Sequence, residues 1–151
     1  MRALVQRVDW AEVQVADEVI GKIGPGLLVY VGAADGDASP QAEWLAEKVA
    51  NLRIFEDEQG KMNINVRDAR GGVLVVTNFT LLADAQKGRR PSFVAAARPE
   101  TAEPLTREFV AALRRHGVEV ATGSFGAMMA VRSQAAGPVN VIIDTPAAPG
   151  A

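Results

Sequence analysis

The sequence predicts an α+β fold with a mixed or antiparallel sheet, on three observations. The first third holds three or four strand-like runs joined by short turns, two amphipathic helical stripes come later, and further strand-like runs close the chain. A doubly wound sheet would instead alternate strands with helices from the start. With 48% apolar and 23% charged residues over 151 positions, the composition is that of one compact domain, expected over 1–145. At this size roughly 70% of the unfolded surface can be buried, so the core needs neither disulfide nor metal.

Each element has its own signal. Ala3 to Val8 alternates like a strand, Glu12 to Val15 and Val19 to Ile23 follow, and Gly24-Pro25-Gly26 turns the chain into the continuous apolar run Leu27 to Val31. Asp35 to Ser39 reads as a loop, with Ser39 as helix N-cap and Pro40 in the first helical position. Trp44, Leu45, Lys48, Val49 and Leu52 then form one stripe on a helix from Pro40 to Asn51, Lys48 contributing its aliphatic stem. Arg53 to Phe55 and Met62 to Val66 flank a polar, Gly-containing turn and suggest a hairpin. Val73 to Asn78 is apolar without alternation, the mark of a strand covered on both faces. Leu105, Phe109 and Leu113 define a second helix over 102–116, with Thr101 as its cap and Gly117 as its stop. Val118 to Ala121, Met128 to Arg132 and Val139 to Asp144 complete the sheet, and residues 146–151 are expected to be a disordered tail.

Composition removes several classes of chemistry. With no cysteine and a single histidine, a disulfide framework, a thiolate zinc site, a cysteine nucleophile and a multi-histidine metal site are all excluded. A reducing, cytoplasmic setting is the expectation, and no apolar run approaches the roughly 18 residues of a membrane span. The formal net charge of −2 argues against a surface that grips nucleic acid all over. The densest basic cluster, Lys87, Arg89 and Arg90, reads on its own as a solvated loop, with a local nucleic-acid contact as the alternative that only context can favour.

Candidate chemistry is sparse. His116 sits at a predicted helix end, where the helix dipole favours its cationic form, so a serine or threonine triad built on it is not expected. Thr77-Asn78-Phe79-Thr80-Leu81 ends the buried strand and turns polar abruptly. Thr80 is either a nucleophile without an evident base, or a strand-end hydroxyl satisfying the backbone. In a third reading, main-chain N–H groups near Phe79 and Thr80 form a carbonyl-binding pocket. Gly137-Pro138 reads as an ordinary turn, with a cis bond as the rarer option. Glu56, Asp57 and Glu58 crowd one hairpin tip and read as a solvated turn, and Met128-Met129 as core filling.

Several blocks in order resemble the bacterial and eukaryotic D-aminoacyl-tRNA deacylases over Met1 to Thr145. They are Met1-Arg2-Ala3-Leu4-Val5-Gln6-Arg7-Val8, Leu52-Arg53-Ile54-Phe55-Glu56-Asp57, Lys61-Met62-Asn63, Asn78-Phe79-Thr80-Leu81, Lys87-Gly88-Arg89-Arg90-Pro91-Ser92-Phe93, Ser124-Phe125-Gly126-Ala127-Met128-Met129 and Gly137-Pro138-Val139. The family's Ser-Gln-Phe-Thr-Leu is matched by Thr77-Asn78-Phe79-Thr80-Leu81, with conservative departures at Thr77 and Asn78. Its Asn-x-Gly-Pro-Val-Thr is matched at Gly137, Pro138 and Val139 but not at Ala135 or Asn140.

The resemblance implies a barrel-like deacylase fold with two main helices and a homodimer in which one subunit's Gly-Pro loop enters the other's pocket as a cis peptide. The implied activity is hydrolysis of the ester of D-aminoacyl-tRNA, with glycyl-tRNA a further substrate, as proofreading in translation. Neither a metal nor an organic cofactor is implied. Phe79 and Thr80 would supply backbone donors beside Asn78. Gly137 and Pro138 would select handedness, Arg7 would hold their loop, and Lys87, Arg89 and Arg90 would contact tRNA phosphates. Thr77 would border the substrate, while Phe93 and Met129 line the pocket or pack in the core. A charged-tRNA-binding module without hydrolysis, or an acyl hydrolase using Thr80 as nucleophile, are the alternatives.

Overall fold

The computed structural model describes residues 1–147. Its strands are β1 (Arg2–Val15), β2 (Glu18–Ile23), β3 (Gly26–Gly32), β4 (Phe55–Glu56), β5 (Met62–Ile64), β6 (Gly72–Thr77), β7 (Glu119–Thr122) and β8 (Ala130–Asp144). The helices are α1 (Ser39–Asn51) and α2 (Pro99–Arg115), with a short 3-10 helix at Phe79–Leu82. The main sheet runs β2-β1-β3-β6-β7, with β8 on the other edge of β1. The pairs β3–β6 and β6–β7 are parallel, and those of β1 with β2, β3 and β8 antiparallel. The expected α+β class with a mixed, barrel-like sheet and two helices holds. The tail expected at 146–151 lies, from 148 onward, outside the described residues.

Alternation along the strands builds two cores. Val5, Leu27, Val29, Val31, Val73 and Val75 face the helices, where they meet Leu45, Val49, Phe109 and Leu113. Leu28, Leu74, Val76, Val8, Ala11 and Val13 fill the opposite, inward face with Ile23, Ala121 and Val131. That second cluster draws on every strand of the main sheet, as the interior of a small barrel must. The barrel nearly closes where β2 meets β7: a Cβ on Gly21 would lie 2.6 Å from the Thr122 carbonyl oxygen, so only glycine permits the approach.

Several boundaries differ from the sequence expectation. The two strands expected within 3–15 are one, because a bulge at Asp9 absorbs the break in alternation: Val8 faces Ala135 while Trp10 faces the adjacent Gln134. The strands expected at 128–132 and 139–144 are likewise joined in β8. Ser39 is not the N-cap of α1. Ala38 holds that position, the Gln41 side chain accepts from its N–H at 3.0 Å, and the Ser39 hydroxyl instead donates to Glu108 of α2 at 2.8 Å. Helix α2 starts before Thr101, at Pro99, whose fixed φ and missing N–H suit a first helical position.

Candidate active site

Burial of β6 between two parallel neighbours delivers the chain to the sheet edge at Thr77. The Asn78 N–H makes the last rung, donating to the Val31 carbonyl at 2.8 Å. The chain then needs a cap, because the first amides of the 3-10 helix have no partner within it. Asn78 supplies one: its Oδ1 accepts from the Thr80 N–H at 3.1 Å and from the Thr80 hydroxyl. Of the two main-chain donors expected here, the Thr80 amide is therefore already paired. The Phe79 amide has no partner among the described residues. Phe79 is 57% exposed, and its ring meets Phe93 edge-on at 5.2 Å between centroids.

Thr80 lacks the surroundings of a nucleophile. Its hydroxyl donates to a carboxamide oxygen, which cannot take a proton at neutral pH. His116 caps α2 just before β7, whose Glu119 pairs with Gly72, so the histidine lies at the far end of β6 from Thr80.

The second expected segment is a loop within β8. Gln6 pairs with Asn140 and Val8 with Ala135, so the four residues 136–139 stand opposite Arg7 alone. Gly137 takes φ +124°, and a Cβ there would lie 2.9 Å from the Val139 side chain and 3.1 Å from Arg7 Nη2. The Gly137-Pro138 bond is cis. Arg7 shares the parity of Ala3 and Val5 and so points toward the helix side. There Nε donates to the Ala136 carbonyl at 3.1 Å and Nη1 to the Ile54 carbonyl at 2.9 Å, with Glu56 3.9 Å from Nη2. One guanidinium thus ties the loop to the segment entering β4, a task for a rigid fork of donors.

One chain does not bring the two segments together. Arg2, at one end of β1, donates to the Leu81 carbonyl at 3.1 Å, whereas Arg7 marks the loop. The two arginines stand five positions apart on β1, about 17 Å at the usual rise. Arg2 also grips Asp144, with Nε 2.6 Å from Oδ1. That hydrogen bond, reinforced by charge, holds the Asp144 carboxyl below its ordinary value and raises Arg2, with partial burial opposing both.

The remaining expected residues fall around these two centres. Asp84 and Ser92 exchange main-chain hydrogen bonds at 2.8 Å, pinching off the exposed loop that carries Lys87, Arg89 and Arg90 and delivering the chain to Phe93 beside Phe79. Of the Met128-Met129 pair expected to fill the core, Met129 does, packing over Gly123 and against the inner cluster, whereas Met128 is 91% exposed. Thr77 lines a cavity of about 450 Å³ between α2 and the ends of β6 and β7. Sequence reasoning missed the Arg2–Asp144 brace, whose partners stand 142 positions apart, and the α2 side chains of this cavity.

Fold and site define an α+β protein whose candidate chemistry rests on a main-chain amide and a tethered Gly-Pro loop. The family model described as D-Tyr-tRNA(Tyr) deacylase matches residues 4–144, and the chain belongs to that family. It is 55% identical over 145 residues to a D-aminoacyl-tRNA deacylase of Chloroflexus aurantiacus, covering 96% of this chain and 91% of the relative. A D-aminoacyl-tRNA deacylase of Brevibacillus brevis is 53% identical, with 96% and 100% covered. Among solved structures, the c-Myc DNA unwinding element binding protein superposes with a TM-score of 0.90 at 39% identity, covering 97% of this chain and all of the other. A probable eukaryotic D-amino acid tRNA deacylase gives 0.79 at 17% identity over 94% and 97%, a likeness of fold alone.

Proposed function

We propose that this enzyme hydrolyses the ester joining a D-amino acid to the terminal adenosine of tRNA, releasing both and so proofreading chirality in translation. Family membership over residues 4–144 supports the reaction. The observation that carries the reading at the site is the unpaired Phe79 amide beside an exposed aromatic pair, with no competent nucleophile at Thr80. An aminoacyl ester is already activated. Positioning it, and donating one main-chain hydrogen bond to the oxygen that gains charge, suffices for attack by water or by the neighbouring ribose hydroxyl.

Gly137 and Pro138 select handedness. Their loop, from a second copy of the chain, faces the substrate's α-carbon and leaves room for hydrogen or a D side chain while an L side chain collides with main chain. Arg2, which reaches the 3-10 helix, and Arg7, which holds the loop, stand about 17 Å apart along β1, and this spacing supports an exchange between subunits in a homodimer. Arg7 holds the loop, Asn78 shapes the turn beside Thr77, Phe93 borders the aminoacyl-adenosine, and Lys87, Arg89 and Arg90 meet phosphates of the acceptor end. The same geometry admits glycyl-tRNA, whose α-carbon bears only hydrogen. Purified protein offered matched D- and L-aminoacyl-tRNA should release the D-amino acid and leave the L ester intact. Equal or absent hydrolysis of the two would defeat the reading.

A further inference from the structure

Helix α2 turns two faces to different tasks. Leu105, Phe109 and Leu113 enter the core, while Glu103, Arg107, Val110 and Arg114, spaced by three or four residues, line the cavity that Thr77, one residue before Asn78, also lines. The floor is apolar, made by Val75, Val110 and Phe125. Its lip carries two guanidiniums two helical turns apart, about 10 Å along the axis. Arg107 contacts Glu103 at 3.2 Å, and Arg114 Nη2 donates to the Val120 carbonyl at 3.1 Å, so each is steadied through one nitrogen with other N–H donors left over. The three charged groups leave one positive charge in excess, on a chain of net charge −2.

An opening with an apolar floor, hydroxyl-bearing walls and an arginine lip is suited to a nucleotide, whose base is flat and apolar on its faces and whose phosphate takes charge-assisted hydrogen bonds. We propose that Arg107 and Arg114 bind the phosphodiester groups leading into the terminal adenosine, guiding the single-stranded 3′ end of tRNA past Thr77. This rests on the deacylase reading and adds to it a second basic contact, on a rigid helix and separate from the Lys87–Arg90 loop.

The test compares wild type with the double variant Arg107→Gln/Arg114→Gln and its Lys/Lys counterpart. The first readout is binding of an uncharged RNA minihelix ending in CCA, which needs no hydrolysis. The Gln/Gln variant should bind about tenfold more weakly, with the slope of log affinity against log salt shallower by about 0.7 for each phosphate that is no longer neutralised. Lys/Lys should recover most of the affinity. The second readout is kcat/KM on D-aminoacyl-tRNA against D-aminoacyl-adenosine, which has no phosphate; the loss on tRNA should exceed that on the short ester about tenfold. Unchanged minihelix binding, or equal losses on both esters, overturns the phosphate lip. Wild type that binds the minihelix through these arginines yet hydrolyses neither ester would sink the deacylase reading and leave the lip standing.

Discussion

Asn78 stands where the family pattern has glutamine, and it is one methylene shorter. That length lets its Oδ1 fold back onto the Thr80 amide and hydroxyl, leaving the Phe79 N–H as the donor beside the exposed rings. Removing that donor is a sharper test than removing the ring. Phe79→Pro deletes the N–H at a first helical position, where the proline ring is tolerated, and Asn78 before it already has the extended backbone that a proline requires. Steady-state kinetics on D-aminoacyl-tRNA should show a kcat lower by about 100- to 1,000-fold for Phe79→Pro and a far smaller loss for Phe79→Ala. Equal losses would assign the effect to the ring. In the same assay Thr80→Ala should retain most of its activity, since its hydroxyl faces no base; a trapped acyl-enzyme would contradict this.

At the scale of elements, β8 is fixed at its middle and at its end by arginines of β1. Arg7 secures the loop at 136–139, and Arg2 joins Asp144 to the carbonyl of Leu81, tying the strand's end to the 3-10 helix. Because the Asp144 carboxyl is held below its ordinary value, about 3.9 unfolded, it is ionised more readily in the folded chain. The stability it contributes is in full above that unfolded value and is lost as pH falls through the lower folded one. Thermal melts of Asp144→Asn and wild type should differ at neutral pH and converge in acid. Both side chains are substantially exposed, so the difference should be modest and shrink in salt.

Across the whole molecule, what was legible in the sequence is what depends on local periodicity. The stripe Trp44–Leu52, the continuous run Val73–Val76 and the Gly117 stop each encode their own burial or termination, and α1, β6 and the end of α2 fall there. What was not legible depends on distant partners. Asp9 reads as a break in alternation until β8 is seen to absorb it as a bulge, and Ser39 reads as a cap until Glu108 takes its hydroxyl. Arg107 and Arg114 carry no signal in the sequence; only the fold sets a cavity beside them. The site residues were named by ordered sequence blocks, but the pairing of the Thr80 amide and the separation of the two segments follow only from three-dimensional placement.

That separation is the central claim, and mixing subunits tests it most directly. One variant, Gly137→Ala, disables the loop, since its Cβ would crowd Val139 and Arg7 at a backbone angle unsuited to alanine; the other, Phe79→Pro, removes the amide. Each alone should be inactive on D-aminoacyl-tRNA. Unfolded together and refolded as a mixture, half the dimers would be mixed and each would hold one intact site of two, so about a quarter of wild-type activity should return. A mixture as inactive as its parents, with mixed dimers shown to be present, would contradict a site shared between two chains.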